Sequence, residues 1–230
     1  MAIFAFADPH LSLGGDKGMD RLFPSWSGYV EKIEENWRRV VKDGDVVVMP
    51  GDISWAMNLA DCDRDFAFLN ALPGTKILGK GNHDYWWATM RKLQTYVEEK
   101  GFTTLNFLFN NAYDLGSMTV AGSRGWFFDA QEAEDNAKVI LREAGRLKTS
   151  IEAALAFGKT PTVFMHYPVV MDGKSVDPLL QVLRDYGVRR VYFGHIHGDR
   201  TGRLLSYEAE GIVFSLISAD ALGFCPKQIG

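Results

Sequence analysis

The chain has 230 residues, 47% of them apolar, 23% charged and 13% aromatic, a length that buries a substantial core and a composition that excludes a disordered tail or a coiled coil. A formal net charge of −4 excludes a surface built as a whole to neutralise a nucleic-acid backbone, so nucleic acid is not an expected partner. Two cysteines, Cys62 and Cys225, in no CxxC spacing, exclude a disulfide framework and a thiolate zinc site, which fits a reducing cytoplasm.

Residues 2–7 form an apolar run that Asp8 and Pro9 interrupt, with no basic segment before it, which predicts a first strand and no secretory leader. A Gly-rich loop over 13–28 leads into a predicted helix over 29–41, with Ile33, Trp37, Val40 and Val41 on one face and Gly44 as its stop. Short runs rich in Val, Ile and Phe recur over 45–49, 75–78, 162–165 and 188–193, as strands buried on both faces would be. Helices over 90–100 and 176–186 are each closed by a glycine, Gly101 and Gly187. The stretch 129–157 reads as one long amphipathic helix or two, with Val139, Ile140, Leu147, Ile151 and Leu155 as a buried stripe. Alternation over 104–120, around Asn110, Asn111 and Gly116, predicts hairpins, and 204–217 predicts another that turns near Glu210 and Gly211. No run reaches the about 18 apolar residues of a membrane span, so no membrane partner is expected. Strand and helix alternate without a repeat or a linker, which predicts an α/β fold in a single domain over 1–230.

Polar motifs follow the strands. Asp8-Pro9-His10 comes after the first, Gly51-Asp52 after the second, Gly81-Asn82-His83-Asp84 after the third, His166 after the fourth and Gly194-His195-Ile196-His197 after the fifth, and these hold all five histidines of the chain. In α/β sheets the carboxyl ends of strands converge on the ligand crevice, so the motifs are expected to meet. Carboxylates, imidazoles and an amide carbonyl form a mixed nitrogen and oxygen set suited to manganese, iron, cobalt, nickel or zinc. This many imidazoles argues against magnesium alone, and this many ligands exceeds one tetrahedral zinc. Two divalent ions about 3.5 to 4 Å apart would use them all if one carboxylate bridged. Taken singly, Asp8 is an ordinary turn residue, Gly51-Asp52 a loop and Asn82 a cap. Five motifs in order are another matter.

The series DxH, GD, GNHD, H, GHxH over residues 8–197 resembles the calcineurin-like metallophosphoesterase superfamily, and the strings GDISWA, KGNHDYWW and SRGW further resemble a bacterial subgroup of predicted phosphohydrolases. The resemblance implies a four-layer αββα sandwich: two mixed sheets face to face, flanked by helices. It implies that Asp8, His10 and His197 hold one metal, Asn82, His166 and His195 a second, and that Asp52 bridges them. Manganese is the first expectation for both ions. A hydroxide between them would attack the phosphorus of a small phosphoester, diester or monoester, a nucleotide among the candidates, without a covalent phosphoenzyme. His83 inherits the role of general acid or electrostatic clamp, and Asp84 that of orienting its loop or an imidazole. His195 and His197 are expected on one strand face, each on a different ion, if the extended backbone continues that far.

Other readings stand beside this one. A non-catalytic metal-binding scaffold for protein interaction is the alternative from another class, and the intact ligand set argues for catalysis. A serine/threonine protein phosphatase is a poorer match, since that branch carries GDxVDRG and GNHE. Arg124 either forks onto substrate phosphate or pairs with an acid of 129–135. Among Trp55, Trp86, Trp87 and Trp126, one or two wall the pocket and the rest pack the core. Tyr167 either reaches the phosphate or is structural. The cluster Asp61, Asp63, Asp65 reads as a solvated helix start, and 129–157 as a partial lid over the site.

Overall fold

In the computed structural model of the protein, which describes residues 1–126, 134–198 and 202–230, the apolar runs become strands whose side chains alternate between two faces. With strands numbered β1 to β13 in chain order, Ile3–Ala5 (β1), Val46–Met49 (β2), Thr75–Leu78 (β3) and Leu105–Phe107 (β4) lie parallel, and Lys227–Gln228 (β13) pairs antiparallel with the outer side of β1. Helices Tyr29–Val40 (α1), Asp63–Ala71 (α2) and Met90–Lys100 (α3) connect these strands. The α3 helix opens on a Thr89 side chain that accepts from the Lys92 amide and closes on Gly101 at φ 70°, a polar cap and a left-handed stop.

The second sheet contains Tyr113–Asp114 (β5), Thr119–Ser123 (β6), Thr162–Met165 (β7), Arg190–Phe193 (β10), Tyr207–Ala209 (β11) and Ile212–Leu216 (β12), in the order β11-β12-β10-β7-β6-β5. Its central pairs are parallel and both edge pairs antiparallel. Val170–Met171 (β8) and Lys174–Ser175 (β9) form a small hairpin beside it, and Glu134–Leu155 (α4) and Asp177–Asp185 (α5) complete the helices.

Alternation within the strands builds the layers. Phe4, Val47, Met49 and Leu78 pack with Ile33 and Trp37 of α1, Phe66 of α2 and Leu93 of α3. Their neighbours Ala5, Val46, Val48 and Ile77 face the other sheet and meet Val120, Phe164 and Tyr192. On that sheet's far side Ala121, Val163, Met165, Val191 and Phe193 pack with Leu147 and Ile151 of α4 and Leu179 and Leu183 of α5. The result is the helix–sheet–sheet–helix sandwich, and each large side chain so buried contributes about 1.5–3 kcal/mol.

Three local expectations need correction. Leu105–Phe107 is no hairpin strand: it pairs parallel with β3 at the sheet edge, and only β5 and β6 form the hairpin of that region. An edge strand is half covered, so its sequence alternates like an antiparallel one. The acidic cluster is only partly solvated: Asp65 is buried, accepting from the Leu13 amide at 2.7 Å and from the Ser54 hydroxyl. In α4 the buried stripe is Ile140, Ala144, Leu147, Ile151 and Ala154, whereas Leu155 is exposed. That helix packs its apolar stripe on β6 and α5, and its Glu143 lies 4.0 Å from Arg124, just past the end of β6; residues 129–133, the start of the expected lid, lie outside the described residues. Among the described residues no helix is long and apolar enough to cross a membrane.

Candidate metal centre

The parallel strands β1, β2, β3, β7 and β10 each end in a loop that delivers polar side chains to one end of the sandwich. After β1 the chain bridges Ser218, beyond the end of β12, which carries the end of the first sheet onto the second. Asp8, His10, Asp52 and His195 all hold positive φ, 55°, 46°, 51° and 69°. Such backbone is sparsely populated outside glycine, and its concentration at four motif positions marks loops shaped for a site.

Two glycines let the loops after β2 and β3 touch. A Cβ on Gly81 would overlap the Asp52 backbone nitrogen and its Oδ1, and one on Gly51, at φ 111°, would lie 2.5 Å from the Gly81 nitrogen. Asp84 locks the contact. Its Oδ2 accepts from the amides of Gly81 at 2.7 Å and Asp52 at 2.8 Å, and its Oδ1 from the amide of Ile53 at 2.8 Å and the Trp86 indole at 3.0 Å. Both oxygens face backbone, so Asp84 positions the two loops.

Inside this frame the ligand atoms converge. A single oxygen, Oδ2 of Asp52, lies 3.5 Å from His10 Nε2 and 3.6 Å from His166 Nε2. On one side His10 Nε2 faces His197 Nε2 at 3.1 Å. On the other, Asn82 Oδ1 lies 2.6 Å from His166 Nε2 and 3.0 Å from His195 Nδ1. Asp8 sits between the halves, 3.4 Å from His166 Nδ1, and its carboxylate is held by the His195 amide and the Ser218 hydroxyl. Two groups of donor atoms are compact enough for one ion each: Asp8, His10 and His197, and Asp8, Asp52 and His166.

Protonation sets the charge of the cluster. Burial, followed by the neighbouring His197, holds His10 well below the usual imidazole range, and burial, followed by His195, does the same to His166. Neutral imidazoles are what a metal requires. Burial pushes the Asp8 carboxyl up to about 7, and burial with the Asp8 and Asp84 charges pushes Asp52 up to about 9. A dication among these atoms reverses that shift, because it stabilises the charged carboxylate more than burial penalises it. His10 Nδ1 and His166 Nδ1 are buried without a hydrogen-bond partner. Lone pairs facing lone pairs, without a strong donor between them, fit divalent metal.

The His195–His197 expectation is corrected in its geometry. β10 stops at Phe193 and His195 is left-handed, so the two rings part by a turn of the backbone and not by strand alternation: one faces Asn82, the other His10. His83 donates its amide to Asp52 Oδ1 at 2.8 Å, and its ring lies 4.3 Å from that of Trp55 and 5.6 Å from that of His10. Trp55 in turn stacks on His10, while Trp86 is a core residue. The Arg124 guanidinium lies over Trp126, 4.6 Å from the ring centroid, and 4.0 Å from Glu143 of α4. Residues 129–133, most of the acidic segment expected to pair with it, lie outside the described residues. Tyr167 sits with its ring 4.4 Å from that of His195.

One residue escaped the reading of the sequence. Asp220 accepts from the His197 ring at 2.8 Å and from the Gly198 amide at 2.8 Å. Burial lowers the His197 pKa, but the Asp220 bond and the charges of Asp8 and Asp220 outweigh it and raise it overall. The signal was present: Ser218-Ala219-Asp220 is a polar motif following β12, like the five that follow other strands.

The sequence profile of the calcineurin-like phosphoesterase family matches residues 1–199. No curated protein matches the chain. Among solved structures it resembles a protein of unknown function from Aquifex aeolicus, with TM-score 0.55 and 18% identity over 99% of this chain and 95% of that one. It also resembles a phosphopantetheinyl hydrolase from Mycobacterium tuberculosis, with TM-score 0.52 and 12% identity over 99% and 95%. A Thermus thermophilus protein aligns with TM-score 0.54 and 13% identity over 99% and 97%. At these identities the likeness is one of fold.

Proposed function

Because the chain belongs to the calcineurin-like phosphoesterase family, we propose that it hydrolyses a small phosphoester with two divalent metal ions, manganese first among them. The observation that carries the reading is the Asp52 oxygen set between His10 and His166, with His197 beside the first and Asn82, shared with His195, beside the second. In this reading Asp8, His10 and His197 hold one ion, Asn82, His166 and His195 the other, and Asp52 bridges. Bound there, the ions supply activated water for attack on phosphorus and neutralise the charge of its non-bridging oxygens.

The chain's own groups do the rest. Asp220 orients the His197 ring by accepting a hydrogen bond from its Nδ1, which would leave the Nε2 lone pair free to hold a metal. Arg124, held over the Trp126 ring, presents its guanidinium to the phosphate. His83 donates a proton to the leaving oxygen as the phosphorus–oxygen bond breaks. Burial and then the His197 charge lower its pKa, and an anionic substrate beside it pulls the pKa back up.

Purified protein supplied with manganese should hydrolyse bis-p-nitrophenyl phosphate or p-nitrophenyl phosphate, and the faster of the two tells diester from monoester preference. Turnover of neither, with no metal bound, would sink the proposal. His83→Ala should keep its metal and lose about 10²- to 10⁴-fold in kcat; survival of activity would remove the general acid.

A further inference from the structure

Beside the metal centre lies a cavity of about 820 Å³ that contains none of the metal-ligand candidates. It opens between the loop after β3, the end of β6 and the middle of α4. Its volume is in the range of sites for whole small molecules and far exceeds one phosphate group. It adjoins the centre: the Trp126 ring on its wall lies 5.9 Å from that of Tyr167, which in turn lies 4.4 Å from that of His195.

The described lining is mostly cationic. Among the described residues Lys80, Lys92, Arg124, Arg142 and Arg146 face it, against the one carboxylate of Glu143. Glu143 is shared by two of them, 4.0 Å from Arg124 and 3.3 Å from Arg146. The excess of cation persists after that pairing, in a chain whose net charge is −4. Three aromatic side chains, Trp87, Phe109 and Trp126, complete the wall, and the guanidinium of Arg146 lies 4.8 Å from the Phe109 ring centroid.

Donors in this wall lack partners. The indole nitrogens of Trp87 and Trp126 and Nε of Arg124 are buried without a hydrogen bond. Buried donors are normally satisfied, and a cluster of three around one cavity calls for an acceptor-rich occupant. Planar guanidinium and indole faces add a stacking platform for a flat ring.

We propose that this cavity binds the remainder of the substrate, and that this remainder carries a further phosphate and a flat aromatic ring, as in a nucleoside diphosphate-type ester. The inference rests on the phosphoesterase reading, since it takes the reacting phosphorus to lie at the metal centre. Lys80 lies two residues before Asn82, and Arg124 follows β6, the neighbour of the strand β7 that leads to His166. Arg142 and Arg146, one turn apart on α4, hold the second phosphate, and Trp87 or Trp126 stacks on the ring.

The test is equilibrium binding of α,β-methylene-ADP and of adenosine to the manganese-loaded full chain by calorimetry. The diphosphate analogue should bind at least about tenfold more tightly than adenosine, the size expected of one charge-assisted contact. Arg146→Ala should weaken it about tenfold and the exposed Arg142→Ala about threefold, with adenosine little changed. Arg142 lies on the solvent side of α4, so its variant folds even if Arg146→Ala does not. Equal affinity for the two ligands, or analogue binding that ignores Arg142→Ala, overturns the subsite. Hydrolysis of bis-p-nitrophenyl phosphate without analogue binding would leave the hydrolase standing and the subsite refuted. Arginine-dependent analogue binding without turnover of any ester would do the reverse.

Discussion

Asp52 carries the heaviest demand of any single residue. It is buried, left-handed, within 3.6 Å of imidazoles from both halves of the cluster, and its backbone is pinned by Asp84. If its Oδ2 bridges two ions, Asp52→Asn should lower the affinity for both together. Metal content after dialysis checks this, and loss of one ion alone would refute the bridge. Asp220 makes the complementary case, because the ligand candidate it holds is His197. Asp220→Asn should weaken the ion on His197 by about 10- to 100-fold, the usual cost of losing a carboxylate behind a ligating imidazole, and leave the other ion in place. Together the two variants separate a bridging carboxylate from an orienting one.

At the scale of the element, β3 shows how a strand can carry a residue that its pattern forbids. Lys76 is fully buried there, its ammonium donating to the Leu72 and Gly74 carbonyls and to the Thr104 hydroxyl. Burial pulls its pKa down to about 8 from an unfolded value of 10.5. Above the unfolded value the amine is neutral in both states and burial costs nothing. As pH falls from there towards the folded value, the unfolded chain takes up a proton that the folded one resists, and stability declines. Urea unfolding of the wild type against Lys76→Met should therefore show the difference shifting in favour of the wild type by about 2 kcal/mol between pH 7.5 and pH 10. A difference that does not move with pH would mean the carbonyl cradle fully offsets the burial.

The same strand shows what was legible in advance. β3 and α3 stand where the apolar run and the glycine stop place them, because local pattern and tertiary packing agree there. β13 was not legible: it has two residues, and only its pairing with β1 makes it a strand. The α2 helix was obscured by the acidic run Asp61, Asp63, Asp65, of which the last turns inward to Ser54. The site's residues were readable as motifs at strand ends, whereas the left-handed turn at His195 that separates its ring from that of His197 depends on contacts with Asp8 from the other sheet.

The whole molecule is two half-sandwiches joined by a thin inner layer, in which Ala5, Ala7, Val46 and Val48 meet Val120, Phe164, Tyr192 and Ile217. The metal centre lies at one end of this seam. Its candidates divide by sheet: Asp8, His10, Asp52 and Asn82 follow strands of the first, and His166, His195 and His197 follow strands of the second. An ion held from both sides is then a cross-link between the sheets as well as a catalytic device. Binding to the folded state alone stabilises it by about 2.7 kcal/mol at a hundred times Kd, which for a chain of this size raises Tm by about 5 to 10 °C. Manganese should produce that rise in chelator-treated wild type, read by calorimetry, and Asp52→Asn should lose most of it. If the variant gains as much as the wild type, the stabilising ion sits away from the seam, and the two sheets hold together without it.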